Sequence, residues 1–159
     1  MPTGPSLPFA ALAAEEKERA AWLFPVWLRL LMIGGGGVLV TLLIVARLLQ
    51  PSADGFGTHQ QLGLPPCSSQ QLFGFRCPAC GMTTSWAHLT RGQVWSSLSV
   101  NAGGTLLGIA AAVCGPWLML SGMRGRWFGN PPHEMVVLGI CLTVAGVILV
   151  DWMCRLCSS

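Results

Sequence analysis

Hydrophobic positions are distributed along this chain in three long uninterrupted stretches rather than in the short alternations of a water-soluble fold. The first runs from Trp27 to Leu49, with Arg29 and Arg47 near its ends. The second runs from Leu98 to Gly122 without a charge, and the third from Met135 to Met153 with Asp151 near its end. At about 1.5 Å per residue, each is long enough as a helix to cross a hydrocarbon layer of roughly 30 Å. The pattern predicts an all-α integral membrane protein with three transmembrane helices, spanning about 27–49, 98–122 and 135–153.

Between the first two spans lies an insert, 50–97, expected to carry a short interfacial helix from Thr83 to Thr90. Thr83 or Thr84 is placed to cap that helix and Gly92 to end it. The stretch from Arg124 to Glu134, with Asn130, Pro131 and Pro132, reads as a tight polar hairpin joining the last two spans. Residues 1–25 form a separate tail ahead of a single membrane domain, 26–159. Met1 to Leu12 carries Pro2, Pro5 and Pro8, and Ala10 to Leu23 suits either a helix lying on the membrane surface or disorder. The first apolar run follows Glu15, Glu16 and Glu18, so it reads as a retained anchor rather than a cleaved leader.

Small residues punctuate the spans. Gly34 to Gly37 give the first helix a smooth face for a close neighbour, and Gly104 and Gly108 form a small-xxx-small pair in the second, which Pro116 can kink.

Composition sharpens this picture. The 159 residues are 52% apolar and 9% charged, against about a quarter charged in soluble domains. Seven tryptophans and no tyrosine suit a protein anchored at headgroup level; Trp27, Trp95, Trp117, Trp127 and Trp152 fall near span ends. The net charge of +3 contains no basic run of the kind that follows a phosphate backbone, so nucleic acid is excluded as a partner. The expected surroundings are a lipid bilayer, in the cytoplasmic membrane of a bacterium, with a membrane-protein partner or a second copy of the chain beside it.

Three spans put the N-terminus and the Arg124 hairpin on one side, and the insert and C-terminus on the other. Lys17, Arg19, Arg29, Arg124 and Arg126 stand against Arg47, Arg76, Arg91 and Arg155, so the positive-inside rule favours a cytoplasmic N-terminus by one residue.

Candidate chemistry rests on cysteine. Cys114 and Cys141 lie inside apolar spans and read as packing residues, whereas Cys67, Cys77, Cys80, Cys154 and Cys157 lie at or beyond span ends. Cys77 and Cys80 form a C-x-x-C pair, able to hold a soft metal or to cycle between dithiol and disulfide. Cys154 and Cys157 form a second such pair on the same side, so four thiolates are available for a structural zinc site. Cys67 can replace one ligand or form a disulfide with Cys77 or Cys80. His59, His88 and His133 fall into no ligand spacing and read as surface residues. Asn101, an amide at the start of a span, must find hydrogen-bond partners and reads as a residue that orients the insert. Asp151 is placed to act as a cap or as a partner for Arg155.

The ordered string of a lone Cys67, then Cys77-Pro78-Ala79-Cys80-Gly81-Met82-Thr83, an Arg91-Gly92 pair and Asn101 entering a span resembles the bacterial membrane-protein family "domain of unknown function 2752". The family pattern maps onto Cys67, Cys77, Pro78, Cys80, Gly81, Thr83, Gly92 and Asn101. One departure is Thr84, where members commonly carry arginine, so that cation is missing here or supplied by Arg76 or Arg91. The resemblance implies architecture and no established activity. Two functions follow as expectations: a noncatalytic structural or interaction module built on a cysteine knuckle, or a membrane thiol-disulfide oxidoreductase in which Cys77 attacks and Cys80 resolves. No Ser, His and acid set supports hydrolysis, and the uncharged span centres argue against a transporter of polar solutes.

Overall fold

The computed structural model describes residues 23–130 and 132–157, so the expected tail and surface helix within 1–22 lie outside the described residues. Among the described residues the chain is helical and contains no strand. Helix α1 is Val26–Leu48, followed by a 3₁₀ turn at Thr58–Leu62, α2 at Ser68–Phe73, α3 at Met82–Leu89, α4 at Val94–Val100, α5 at Ala102–Arg124 and α6 at Glu134–Cys157. Helices α1, α5 and α6 are each long and apolar enough to cross a membrane.

Burial is inverted relative to a soluble domain. The largest fully enclosed side chains are Asn101, Thr58, Thr84, Thr105, Ser85, Ser97 and Ser121, while Val26, Leu30, Val113, Leu142 and many other large apolar residues are exposed. Helix α6 buries no residue at all. In water such a surface would be costly, at about 25 cal/mol per Å² of apolar area; in lipid it is the solvated state.

Helices α1 and α5 run antiparallel along a seam set by glycine. A methyl group added at Gly36 would lie 2.5 Å from the Gly115 carbonyl oxygen, and one at Gly122 would lie 2.9 Å from the Arg29 carbonyl oxygen. Without an interior hydrophobic drive in lipid, such backbone approach supplies the dispersion contacts that hold helices together. Of the expected four-glycine face only Gly36 meets a neighbour, since Gly34, Gly35 and Gly37 have nothing within 4 Å. Gly104 and Gly108 likewise do not serve a contact between spans. Gly104 sits against Asn101, and Gly108 accommodates Leu89 and Trp86 of α3. The close approach of α5 to α6 is at Gly103, where a methyl group would lie 2.3 Å from Ile148 Cγ1.

The end of this pair away from the insert is closed by Arg29. Its Nε donates to the Gly122 carbonyl (3.1 Å) and its Nη2 to the Met123 carbonyl (3.1 Å). These carbonyls lie in the last turn of α5, where the Gly122 oxygen also accepts the capping Gly125 N–H at 3.2 Å, and a cation there opposes the helix dipole. Phe24 N–H donates to the Gly125 carbonyl at the same end, and Trp127 stacks on Trp117 at 5.1 Å.

Candidate functional site

The residues singled out by sequence gather where the insert meets the beginning of α5 and the end of α6. The second span begins at Ala102 rather than Leu98, because Asn101 interrupts the helical backbone. With φ −160° and ψ 100°, Asn101 is extended, and its Oδ1 accepts from Gly104 N–H at 2.6 Å, capping α5. Its Nδ2 donates to the Pro78 carbonyl (3.3 Å) and the Cys80 carbonyl (3.1 Å). One side chain thereby starts a membrane helix and grips the cysteine motif.

The motif itself is a turn closed by Cys80 N–H to the Cys77 carbonyl, 3.0 Å. Gly81 follows at φ +86°, and a methyl group there would fall 2.8 Å from the Gly55 carbonyl oxygen, so glycine is required by both dihedral and space. Helix α3 starts at Met82 with Gly81 as its N-cap and no side-chain cap. Thr83 and Thr84 are therefore inside the helix, correcting the expectation that either caps it. Thr84 Oγ1 instead lies 2.7 Å from Thr58 Oγ1, both fully buried. Gly92, at φ +77°, follows the helix end and turns the chain toward α4.

The Thr84 position, where family members commonly carry arginine, is buried against Thr58. Arg76 lies over the Phe56 ring at 4.4 Å, and Arg91 donates to the Leu49 and Ala87 carbonyls, each at 2.7 Å, tying the end of α1 to α3. Arg76 and Arg155 both act on Cys80 through their charge, and Arg155 also bonds to the motif. Its Nη1 donates to the Cys80 carbonyl at 3.0 Å, and Nη2 is ion-paired with Asp151 one turn earlier on α6. Trp152 Nε1 donates to the Arg76 carbonyl at 2.8 Å. The Cys80 carbonyl is thus shared by α5 and α6.

Beneath the motif lies a hydroxyl cluster with no counterpart in the sequence reading. Ser85 of α3, Ser97 of α4 and Thr105 of α5 are fully buried, with mutual oxygen separations of 2.8 to 2.9 Å. Thr105 donates to the Asn101 carbonyl and Ser97 to the Ser85 carbonyl. No buried side-chain nitrogen or oxygen among the described residues lacks a hydrogen-bond partner. A set of buried hydroxyls that are satisfied jointly by one another and by the Ser85 and Asn101 carbonyls joins three helices at little desolvation cost.

The cysteines divide differently from the sequence pattern. Cys67 and Cys77 have sulfurs 3.6 Å apart. Cys80 is buried beside them, and His59, whose Nε2 is 3.2 Å from the Pro65 carbonyl oxygen, lines the same cavity of about 170 Å³. Cys154 and Cys157 are exposed on α6. The four thiolates foreseen for zinc do not assemble, and no group of three or more His, Cys, Asp or Glu among the described residues is spaced to hold a metal ion. A tetrahedral zinc site needs four convergent donors, so this donor arrangement does not fit one.

Proximity also separates the thiols electrostatically. Backbone hydrogen bonding from Gln70, followed by the contact with Cys77, holds the Cys67 thiol below its ordinary value of 9.0. Burial pushes Cys77 up, and the contact with Cys67 adds to that. Burial likewise raises Cys80, reinforced by the charge of Cys77. Cys67 is thus the thiol held lowest of the three, with Cys77 and Cys80 held up.

Residues 67–115 match the family described as Protein of unknown function (DUF2752). The DUF2752 segment runs from Cys67 through the motif, α3 and α4 to Gly115 on α5. It contains Asn101 and the hydroxyl cluster, but neither α1 nor the Arg155 of α6 that meets the motif. Neither a curated protein nor a solved structure matches the chain. The sequence signal for Arg155 was the polar trio Asp151, Trp152 and Arg155 on an otherwise apolar helix end; the hydroxyl cluster had none, since its members lie on three elements.

Proposed function

We propose that this protein is a multi-pass protein of a bacterial cytoplasmic membrane whose insert is a noncatalytic structural and interaction module. The observation that carries this reading is the convergence of Asn101 and Arg155 on the Cys80 carbonyl. Both polar side chains engage backbone atoms of the motif, as a knuckle requires. The module faces lipid and partner through Leu72, Phe73 and Trp95, exposed by 75%, 70% and 84%. Tryptophan and phenylalanine at a headgroup boundary suit such a surface.

Detergent-purified protein tests the reading by its thermal unfolding, with metal content and free-thiol count measured on the same sample. A structural knuckle lowers the melting temperature when Cys77 and Cys80 become serine. Unchanged melting in that variant, in a protein that also holds neither metal nor disulfide, defeats the proposal.

A further inference from the structure

We propose that Cys67 and Cys77 form a disulfide that clasps the start of α2 to the cysteine motif, leaving Cys80 as a free thiol. The inference rests on the structural reading of the motif and assigns the bond that reading leaves open. The two sulfurs are in contact at 3.6 Å, and a covalent bond at about 2.05 Å requires a further approach of about 1.5 Å. Both residues are half-buried, so a soluble oxidant has access, whereas Cys80 is buried. The carbonyl of Cys80 is held by Asn101 and Arg155, which keeps that residue in place while Cys77 turns toward Cys67.

The oxidant is a disulfide, acting by exchange. The Cys67 thiolate attacks one sulfur of the oxidant, whose S–S bond breaks and releases one thiolate. Cys77 then loses its proton and attacks the Cys67 sulfur of the mixed disulfide, expelling the second thiolate. The two cysteines together give up two electrons and two protons, and the oxidant becomes two thiols. The lowered pKa of Cys67 suits it to the first attack.

The chain carries a convenient test. Trypsin cleavage after Arg47, Arg76 and Arg91 puts Cys67 on peptide 48–76 and both Cys77 and Cys80 on peptide 77–91. Full-length protein in detergent is incubated with glutathione disulfide, its remaining thiols are blocked with N-ethylmaleimide, and the denatured chain is digested without reductant. The expected product is 48–76 linked to 77–91, formed in wild type and in Cys80→Ser and lost in Cys77→Ser. Peptide 77–91 lighter by two hydrogens and unlinked, which marks a bond between Cys77 and Cys80, overturns the assignment. So does a wild type whose peptides stay separate, or a linkage that survives Cys77→Ser. Folding of each variant is read by its tryptophan melting curve. A folded wild type without the linkage refutes the clasp alone, because the structural reading is tested separately by the melting of the variant in which Cys77 and Cys80 become serine.

Discussion

At the scale of single residues, the Asn101 side chain joins three separate backbone groups, the Gly104 N–H and the Pro78 and Cys80 carbonyls. Asn101→Ala removes a helix cap and leaves the Pro78 carbonyl without that donor, and it takes one of two donors from the Cys80 carbonyl. A cap is worth about 1 kcal/mol and a buried polar group left short of partners costs about 1 to 3 kcal/mol, so thermal unfolding should show a loss of at least about 2 kcal/mol. Asn101→Asp keeps the acceptor for Gly104 but turns a carboxylate oxygen toward two carbonyls. It should be at least as destabilising as alanine, and a near-normal melting temperature for the aspartate variant would contradict the assigned roles of Oδ1 and Nδ2. The thiols give a second residue-scale prediction. With Cys67 lowered and both Cys77 and Cys80 raised, thiolate forms first at Cys67 as pH rises. Peptide-resolved iodoacetamide labelling of reduced protein across pH 6 to 10 should therefore show the Cys67 rate climbing before those of Cys77 and Cys80. Simultaneous onset would show that Gln70 and burial do not separate them.

At the scale of elements, helix pairing depends on which glycine meets which backbone. Gly36→Ala drives a methyl group into the Gly115 carbonyl, an atom that moves only if the helices part. Gly35→Ala meets nothing within 4 Å and gains helix propensity of up to about 1 kcal/mol. Melting temperatures of the two variants should move in opposite directions, down for Gly36 and level or up for Gly35. Equal effects would mean that α1 and α5 do not approach along this line. The four-glycine run thus revealed a close approach but not its single contact point, because the rotation of a helix about its axis depends on its neighbours. Span positions were more legible. The first span lies within one residue of its expected limits, since sustained hydropathy alone marks it. The second starts four residues late, at Ala102, because Leu98 to Val100 belong to α4 and only the tertiary partners of Asn101 show where the new helix begins. The third runs on to Cys157, because the polar residues Asp151 and Arg155 remain helical by pairing with each other one turn apart.

At the scale of the molecule, the two antiparallel contacts place the insert and the end of α6 at one pole, and Phe24, Arg29 and the Arg124 hairpin at the other. A membrane-impermeant maleimide applied to intact cells should label single-cysteine proteins retaining Cys67 or Cys157 from the same side. A cysteine-free protein carrying Arg126→Cys should label only after the membrane is opened, if the insert pole faces outward. Labelling of Cys67 and of position 126 from the same side would exclude the arrangement. The sequence pattern anticipated this division, because it follows from counting spans. The gathering of Ser85, Ser97 and Thr105 was not legible, since isolated hydroxyls on separate elements leave no period. The attachment of α6 was only hinted at. Every residue from Glu134 to Thr143 is exposed, whereas Ile148, Trp152 and Arg155 reach α5 or the insert. This helix is a cantilever, clamped at the insert pole and loaded by lipid along its free length. A rod held at one end turns a sideways push into torque at its clamp. Any tilt of α6 therefore pivots about Trp152 and Arg155, whose hydrogen bonds end on the Arg76 and Cys80 carbonyls.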